Sequence, residues 1–385
     1  MSSPYFYRDS WVEVDLQSIK RNIEQLKRIL PNGKKIFAVV KANAYGHGDI
    51  QVAEAALSSG VYGLAVAILD EAIKLRDAGI KAPILVMGWV RPEDVSVAIE
   101  KNIILTTFQK EWVKTAKQYV NGTLSLHVKV DTGMGRLGVR SKNELEELLM
   151  ELNDKKFHID GIFTHFATAD EDNMTYYDKQ KEKFNEFLNV LEQYVAHPLI
   201  VHSSNSAASI RFPNQMQDAV RFGISMYGLY PSPYVKEEKP IPLSPAFSLH
   251  SKLIHVKKLS KGESVSYGCT YTASEDEWVG TVPLGYADGW VRKFQGSTVL
   301  IHGKRMAIIG RICMDQFMVK LDNAYDIGTK VTLIGRQEEE EISVDEVADR
   351  LETINYEIPC QISYRVPRVY KENDQVVSRH NYLLC

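Results

Sequence analysis

An N-terminal (β/α)8 barrel followed by a mostly β domain is the fold this sequence predicts, and three observations predict it. From about Trp11 to Tyr230, short apolar runs alternate with amphipathic helical patterns. Four chemistry-bearing residues, Lys41, Lys129, His165 and Ser206, fall at or just past the C-terminal ends of such runs, where barrels of this class carry their functional groups. Beyond Pro231-Ser232-Pro233 and Lys236-Glu237-Glu238-Lys239-Pro240 the texture changes to short alternating strands separated by glycine turns. The expected domains are residues 1–240 and 241–385, with the first ~10 residues able to pack with the second domain.

The barrel strands are expected at Lys35–Val40, Tyr62–Ile68, Ala82–Met87, Ile103–Thr107, Leu124–Val130, Ile159–His165, Leu199–His202 and Ala219–Gly223. Asp49 is placed to cap a helix whose apolar face carries Val52, Ala55 and Ala56. Further helices are predicted at Asp70–Ala78, Pro92–Lys101, Glu111–Tyr119, Lys142–Leu152 and Asp178–Tyr194. In the second domain the strands are expected at Phe247–Val256, Ser264–Tyr267, Glu277–Val282, Thr298–Ile301, Lys304–Ile309, Phe317–Leu321 and Lys330–Ile334. Ser343 and Glu346 have the spacing of a capping box. No internal repeat or low-complexity segment interrupts this order.

Composition narrows the function classes. The 385 residues are 44% hydrophobic and 25% charged, as in an ordinary globular protein. A formal net charge of -3 gives no electrostatic case for nucleic acid or an anionic membrane as partner. Cys269, Cys313, Cys360 and Cys385 are far apart, which fits reduced thiols better than a disulfide framework or a zinc site. Met1-Ser2-Ser3-Pro4-Tyr5 has no basic segment leading into an apolar one, and no stretch is apolar enough to span a bilayer. A cytoplasmic location and no metal are expected.

Phe37-Ala38-Val39-Val40-Lys41-Ala42-Asn43-Ala44-Tyr45-Gly46-His47-Gly48 holds the sharpest chemical signal. An apolar strand ends at one lysine. An amine held there can be partly desolvated, which lowers its pKa and suits a Schiff-base lysine. The same pattern also describes a lysine that merely snorkels out of a strand end. A second stretch, Val128-Lys129-Val130-Asp131-Thr132-Gly133-Met134-Gly135-Arg136-Leu137-Gly138, presents Arg136 after a strand on a glycine-rich turn. Arginine there can hold a carboxylate through two parallel hydrogen bonds, or be a solvated turn residue. His202-Ser203-Ser204-Asn205-Ser206-Ala207-Ala208-Ser209 ends a strand and opens a helix, which suits a phosphate or simply an N-cap.

Together these strings resemble the alanine racemases, pyridoxal-phosphate enzymes of fold type III. The resemblance runs from about Trp11 to Tyr370 and includes Gly161-Ile162-Phe163-Thr164-His165-Phe166, Arg221-Phe222-Gly223-Ile224, Ser264-Val265-Ser266-Tyr267-Gly268, Leu284-Gly285-Tyr286-Ala287-Asp288-Gly289, Gly310-Arg311-Ile312-Cys313-Met314-Asp315-Gln316 and Ile354-Asn355-Tyr356-Glu357. It implies that Lys41 carries the cofactor. The phosphate would lie among Tyr45, Ser206, the backbone of Gly223 and Ile224, and Tyr356, with Asn205 beside it. Arg221 would face the pyridine nitrogen, with His165 in its hydrogen-bond network. Arg136 and the Met314 N–H would meet the substrate carboxylate, Tyr286 would stand at the mouth, and Arg292 and Arg311 would line its approach. Lys129 matches a lysine that is carbamylated in some members.

Inversion at Cα needs a proton removed on one face and delivered on the other. The resemblance makes Tyr267, one of 19 tyrosines, the partner of Lys41. It also implies a homodimer with shared active sites, in which Tyr267 reaches the other subunit's barrel, and a role in supplying D-alanine for peptidoglycan. Rival readings are a serine or broad-specificity racemase of the same fold and a non-catalytic carrier of pyridoxal phosphate. A decarboxylase of the same barrel would need a cysteine in place of Tyr267, for which only Cys313 and Cys360 offer themselves.

Overall fold

A computed structural model describes residues 6–384 of the chain. Cys385 and the opening Met1-Ser2-Ser3-Pro4-Tyr5 lie outside the described residues. The chain divides into two compact units: Ser18–Ala44 with Asp49–Ser244, and the N-terminal segment to Gln17 with Tyr45–Gly48 and the chain from Pro245 onward.

The first unit is a parallel barrel. Its strands run in the spatial order Ile84–Val86, Gly63–Val66, Lys35–Val39, Ala219–Phe222, Ile200–His202, Phe157–Phe163, Leu124–Lys129 and Leu105–Thr107. The two ends of that order are joined by a parallel bridge between Leu85 and Ile104, with hydrogen bonds of 2.9 Å from Val86 to Ile104 and from Ile104 to Ile84. Gly63–Val66 and Ile84–Val86 are buried at every position. Strands covered on both faces need no polar alternation, which is why they read as unbroken apolar runs.

Some boundaries move for identifiable reasons. The helix predicted from Asp178 begins at Thr175, because the Asn173 side chain accepts the Thr175 N–H at 3.0 Å. Pro92–Lys101 is a 3-10 turn, Pro92–Asp94, followed by the helix Val95–Glu100. Asp49 is the first residue of its helix rather than the cap; its carboxylate accepts from Ile50 at 3.0 Å and from Lys74 at 2.8 Å.

The second unit is built on an 11-stranded sheet, and Glu277–Val282, Thr298–Ile301, Lys304–Ile309 and Phe317–Leu321 form as predicted. Ser10–Asp15 belongs here, antiparallel to Phe247–Lys252 and parallel to Arg368–Glu372. The expected strand Phe247–Val256 breaks at Leu253–Ile254, because the chain changes partners: Phe247–Lys252 pairs with Lys330–Gln337, and His255–Leu259 with Glu277–Val282. Ser343 caps Val344–Leu351 by accepting the Glu346 N–H at 3.0 Å. The Glu346 carboxylate is taken by Arg305 at 2.6 and 3.0 Å, so the capping box is only half made.

Candidate active site

The barrel brings one set of predicted residues to the same ends of its strands. Lys129 is the last residue of Leu124–Lys129, Arg221 lies in Ala219–Phe222, and Gly223 and Ile224 follow it directly. Lys41 and His165 each stand two residues beyond a strand, and Asn205 and Ser206 begin the turn of helix after Ile200–His202.

The backbone after Lys41 is unusual. Ala42, Asn43, Ala44 and Tyr45 have φ of 52, 54, 53 and 52° in succession, a left-handed helical turn made without glycine. Each such residue costs roughly 1–2 kcal/mol, so the surroundings must recover several kcal/mol to keep it. The Ala44 N–H closes the turn on Val40 O at 2.9 Å, and the Asn43 side chain accepts the Asp49 N–H at 3.1 Å.

Lys129 is pinned from the backbone. Val139 N–H donates to Lys129 O at 3.0 Å and Asp131 N–H to Val139 O at 2.8 Å, which folds the glycine-rich loop back on itself. Gly138 makes this possible: a Cβ there would lie 2.5 Å from the Asp131 nitrogen. The Asp131 carboxylate holds the loop through Gly133 N and Gly135 N, both at 3.0 Å. Burial first, then Arg136 and Arg221, pull the Lys129 amine down to about 8, with Asp131 opposing. Arg136 is exposed and lines a cavity of about 680 Å³ that Lys41, Lys129 and Arg221 do not line.

Arg221 is buried and organises three histidines. Its Nη1 donates to His202 Nδ1 at 2.7 Å, and its Nη2 to the carbonyls of Thr164 and Ser203 at 2.8 and 2.9 Å and to His165 Nδ1 at 3.2 Å. A guanidinium is an obligate donor, so these contacts fix tautomers. His165 accepts on Nδ1 and carries its proton on Nε2. His202 accepts on Nδ1 and donates from Nε2 to His127 Nδ1 at 2.8 Å. Burial, followed by the Arg221 charge, holds His165 and His202 well below the usual histidine range and His127 at about 3, so all three stay neutral. Sequence reasoning gives His202 no role beyond ending its strand and does not name His127. The available signal was the two-residue spacing of His127 and Lys129, which puts both on one face of a strand.

Ser206 Oγ accepts the Gly223 N–H at 2.9 Å, and the Asn205 side chain caps its helix by accepting from Ala208 at 3.0 Å. Nearby in sequence, the Ser225 hydroxyl is buried with no hydrogen-bond partner among the described residues. The barrel-end set is thus rich in cations (Lys41, Lys129, Arg136, Arg221), while the carboxylates of Asp131 and Glu71 both accept backbone N–H groups of the loops. Such a donor set suits a group carrying phosphate and carboxylate charges, and a lysine at a strand end suits an aldehyde.

The second unit carries the other predicted residues, in separate groups. The Tyr45 and Tyr356 rings lie 6.2 Å apart, and burial pushes the Tyr45 phenol above its usual range. Tyr267 is not on a strand. Ser264–Val265 ends early because Ser266 turns to φ 67° and its hydroxyl donates to Arg311 O at 2.6 Å, leaving Tyr267 on a 3-10 turn. The loops carrying Tyr286 and Met314 are joined by Tyr286 N–H to Cys313 O and Ala287 N–H to Met314 O, both at 3.1 Å. Tyr267 is 73% exposed, and its hydroxyl has no hydrogen-bond partner among the described residues.

Residues 14–231 match the family model described as alanine racemase, N-terminal domain, and residues 246–370 the one described as alanine racemase, C-terminal domain. The alanine racemase of Geobacillus stearothermophilus is 53% identical over 379 residues, covering 98% of this chain and 97% of that one. Among solved structures, the alanine racemase of Bacillus anthracis with bound L-Ala-P is 50% identical with a TM-score of 0.96, covering 98% of this chain and 99% of that one. A histidine racemase from Leuconostoc mesenteroides is 32% identical with a TM-score of 0.87, covering 96% and 99%.

Proposed function

The chain belongs to the alanine racemase family, and we propose from that premise that it interconverts L- and D-alanine on a pyridoxal phosphate carried by Lys41. Members of the family use this cofactor. When bound, it supplies an electron-accepting ring that stabilises negative charge at the substrate Cα. The chain's own residues do the rest. Arg221 would hold the ring nitrogen: both its Nη atoms are engaged in the barrel, which leaves Nε for the cofactor. A permanent cation there disfavours protonation of the ring nitrogen, so less electron density is drawn from Cα, and the proton returns to Cα instead of elsewhere. Ser206, Asn205, Tyr45, Tyr356 and the backbone at Gly223 and Ile224 would cradle the phosphate.

Lys41 and Tyr267 would each take or return the Cα proton, one on each face. Arg136 and the Met314 N–H would hold the substrate carboxylate, and Tyr286 would narrow the mouth. A carbamate on Lys129 would convert a cation that repels Arg136 into an anion that braces it. The neutral fraction that such a reaction needs is raised by a pKa of about 8.

The observation that carries this reading is the cationic set at the barrel strand ends, in which Lys129 and Arg221 are buried and the half-buried Lys41 acts on the Lys129 charge. Borohydride reduction of the purified holoenzyme followed by peptide mapping tests it. Label on Lys41 is expected; label on another lysine contradicts it.

Tyr267 supports a head-to-tail homodimer with shared sites. An exposed phenol with an unpaired hydroxyl is a poor base alone, since its free pKa is ~10. It gains cations and hydrogen bonds if a second subunit covers it. Hybrid dimers of Lys41→Ala with Tyr267→Ala should regain activity through one rebuilt site, and dead hybrids would refute sharing. The histidine racemase on the same fold favours weighing a broader substrate range. Comparing kcat/KM for alanine and serine decides that point. The product D-alanine would serve peptidoglycan synthesis.

A further inference from the structure

One side chain outside this scheme holds the left-handed turn after Lys41. Glu71 is the third residue of the helix Leu69–Asp77, which follows the barrel strand Gly63–Val66. One of its carboxylate oxygens accepts the N–H of Ala67 at 2.8 Å and of Ile68 at 3.3 Å. That is an ordinary helix cap. The other oxygen accepts the Ala42 N–H at 2.6 Å. This second bond is surplus to capping. It reaches the neighbouring strand's loop and ends on the peptide that joins Lys41 to Ala42.

The two strands are already in register, with Val39 opposite Ala65 and the Val40 N–H donating to Ala65 O at 2.9 Å. That bond is the last one of the ladder. Beyond it the chain enters the turn at Ala42, with φ 52°. A residue with a Cβ leaves that region readily unless its neighbours hold it. A charge-assisted hydrogen bond to its N–H is such a hold. The anion is also favoured where it stands, at the start of its own helix.

We propose that Glu71 is a positioning residue for Lys41: its carboxylate bridges two barrel loops and fixes the peptide from which the Lys41 side chain departs. The proposal rests on the reading of Lys41 as the cofactor lysine. Glu144 supplies a matched contrast. It caps the barrel helix Lys142–Leu152 by accepting the Arg140 N–H at 2.8 Å and, among the described residues, makes no bond to a second strand's loop.

The test compares holoenzymes of wild type, Glu71→Ala, Glu71→Gln and Glu144→Ala. Glu71→Ala should hold pyridoxal phosphate roughly tenfold more weakly. It should also shift the visible absorption of the Lys41-bound cofactor and lower kcat more than it changes KM. Glu71→Gln has a single acceptor oxygen, so it can serve Ala42 or Ala67 but not both, and it should fall between. Glu144→Ala should lower thermal stability and leave the cofactor spectrum and affinity as in wild type. The proposal is overturned if Glu71→Ala, or Glu71→Gln where the alanine variant does not fold, matches Glu144→Ala in spectrum and affinity. Borohydride mapping separates this from failure of the underlying reading. Wild-type label away from Lys41 defeats that reading, whereas label on Lys41 with unchanged Glu71 variants defeats only the present proposal.

Discussion

Lys129 shows how burial and neighbouring charge act on one residue. It is 6% exposed, and its folded pKa of about 8 lies below the ordinary 10.5. Between those values the native state binds fewer protons than the unfolded chain, so stability rises with pH across that window. Below it the charged amine costs about 3 kcal/mol. A carbamate removes that cost. Bicarbonate at mildly alkaline pH should therefore raise the Tm of wild type and not that of Lys129→Met, as followed by calorimetry. Equal shifts in both proteins would leave Lys129 unmodified. At this scale the sequence made Lys129, Arg221 and His165 legible because each stands in a distinctive string at a strand end. His127 stays hidden and His202 reads only as the end of a strand, because their meaning comes from Arg221 imposing tautomers along a chain of contacts that only folding creates.

Among the elements, the turn after Lys41 is the least legible. Lys-Ala-Asn-Ala-Tyr contains no glycine, so nothing local announces four left-handed residues; the fold imposes them against propensity. Gly46, which follows, is legible in kind. Its φ is +81°, and a Cβ there would lie 2.1 Å from the Pro359 carbonyl oxygen. Gly46→Ala should destabilise the protein by about 3 kcal/mol or more, the sum of strain and overlap, as read from urea unfolding. A loss under half that would mean the loop yields easily. The N-terminal residues are expected beside the β unit, but a strand over Ser10–Asp15 is not, because its partners lie more than 200 residues away in sequence. Its Glu13 accepts from His250 at 3.0 Å and pairs with Lys371 and Lys330. Burial opposes the Glu13 charge, but the His250 and Lys371 hydrogen bonds outweigh it and hold the carboxylate well below 4.5. Burial chiefly also holds His250 below 6.5. Both depressed values mean that the unfolded chain takes up more protons as pH falls. Their stabilisation is present at neutral pH and is lost on acidification, His250 first and Glu13 later. Glu13→Gln should cost about 3 kcal/mol at neutral pH. It should also flatten the fall in Tm between about pH 5 and pH 3.

For the molecule as a whole, barrel and β domain were readable because their periodicities differ: unbroken apolar runs for strands buried on both faces, alternation for the sheet. Among the described residues no helix is long and apolar enough to cross a membrane. The proposed meeting of the exposed Tyr267 with a second subunit comes from the family resemblance and from no local pattern, since neighbouring residues carry no information on assembly. In the proposed function an amine and a phenol handle one proton from opposite sides of the same carbon. Deuterium uptake at Cα of each alanine enantiomer, measured in deuterated water with wild-type and Tyr267→Phe holoenzymes, tests it most directly. Wild type should take up deuterium into both enantiomers, and Tyr267→Phe into one enantiomer only, with inversion slowed roughly 10²–10⁴-fold. A Tyr267→Phe enzyme that inverts alanine at the wild-type rate would contradict it.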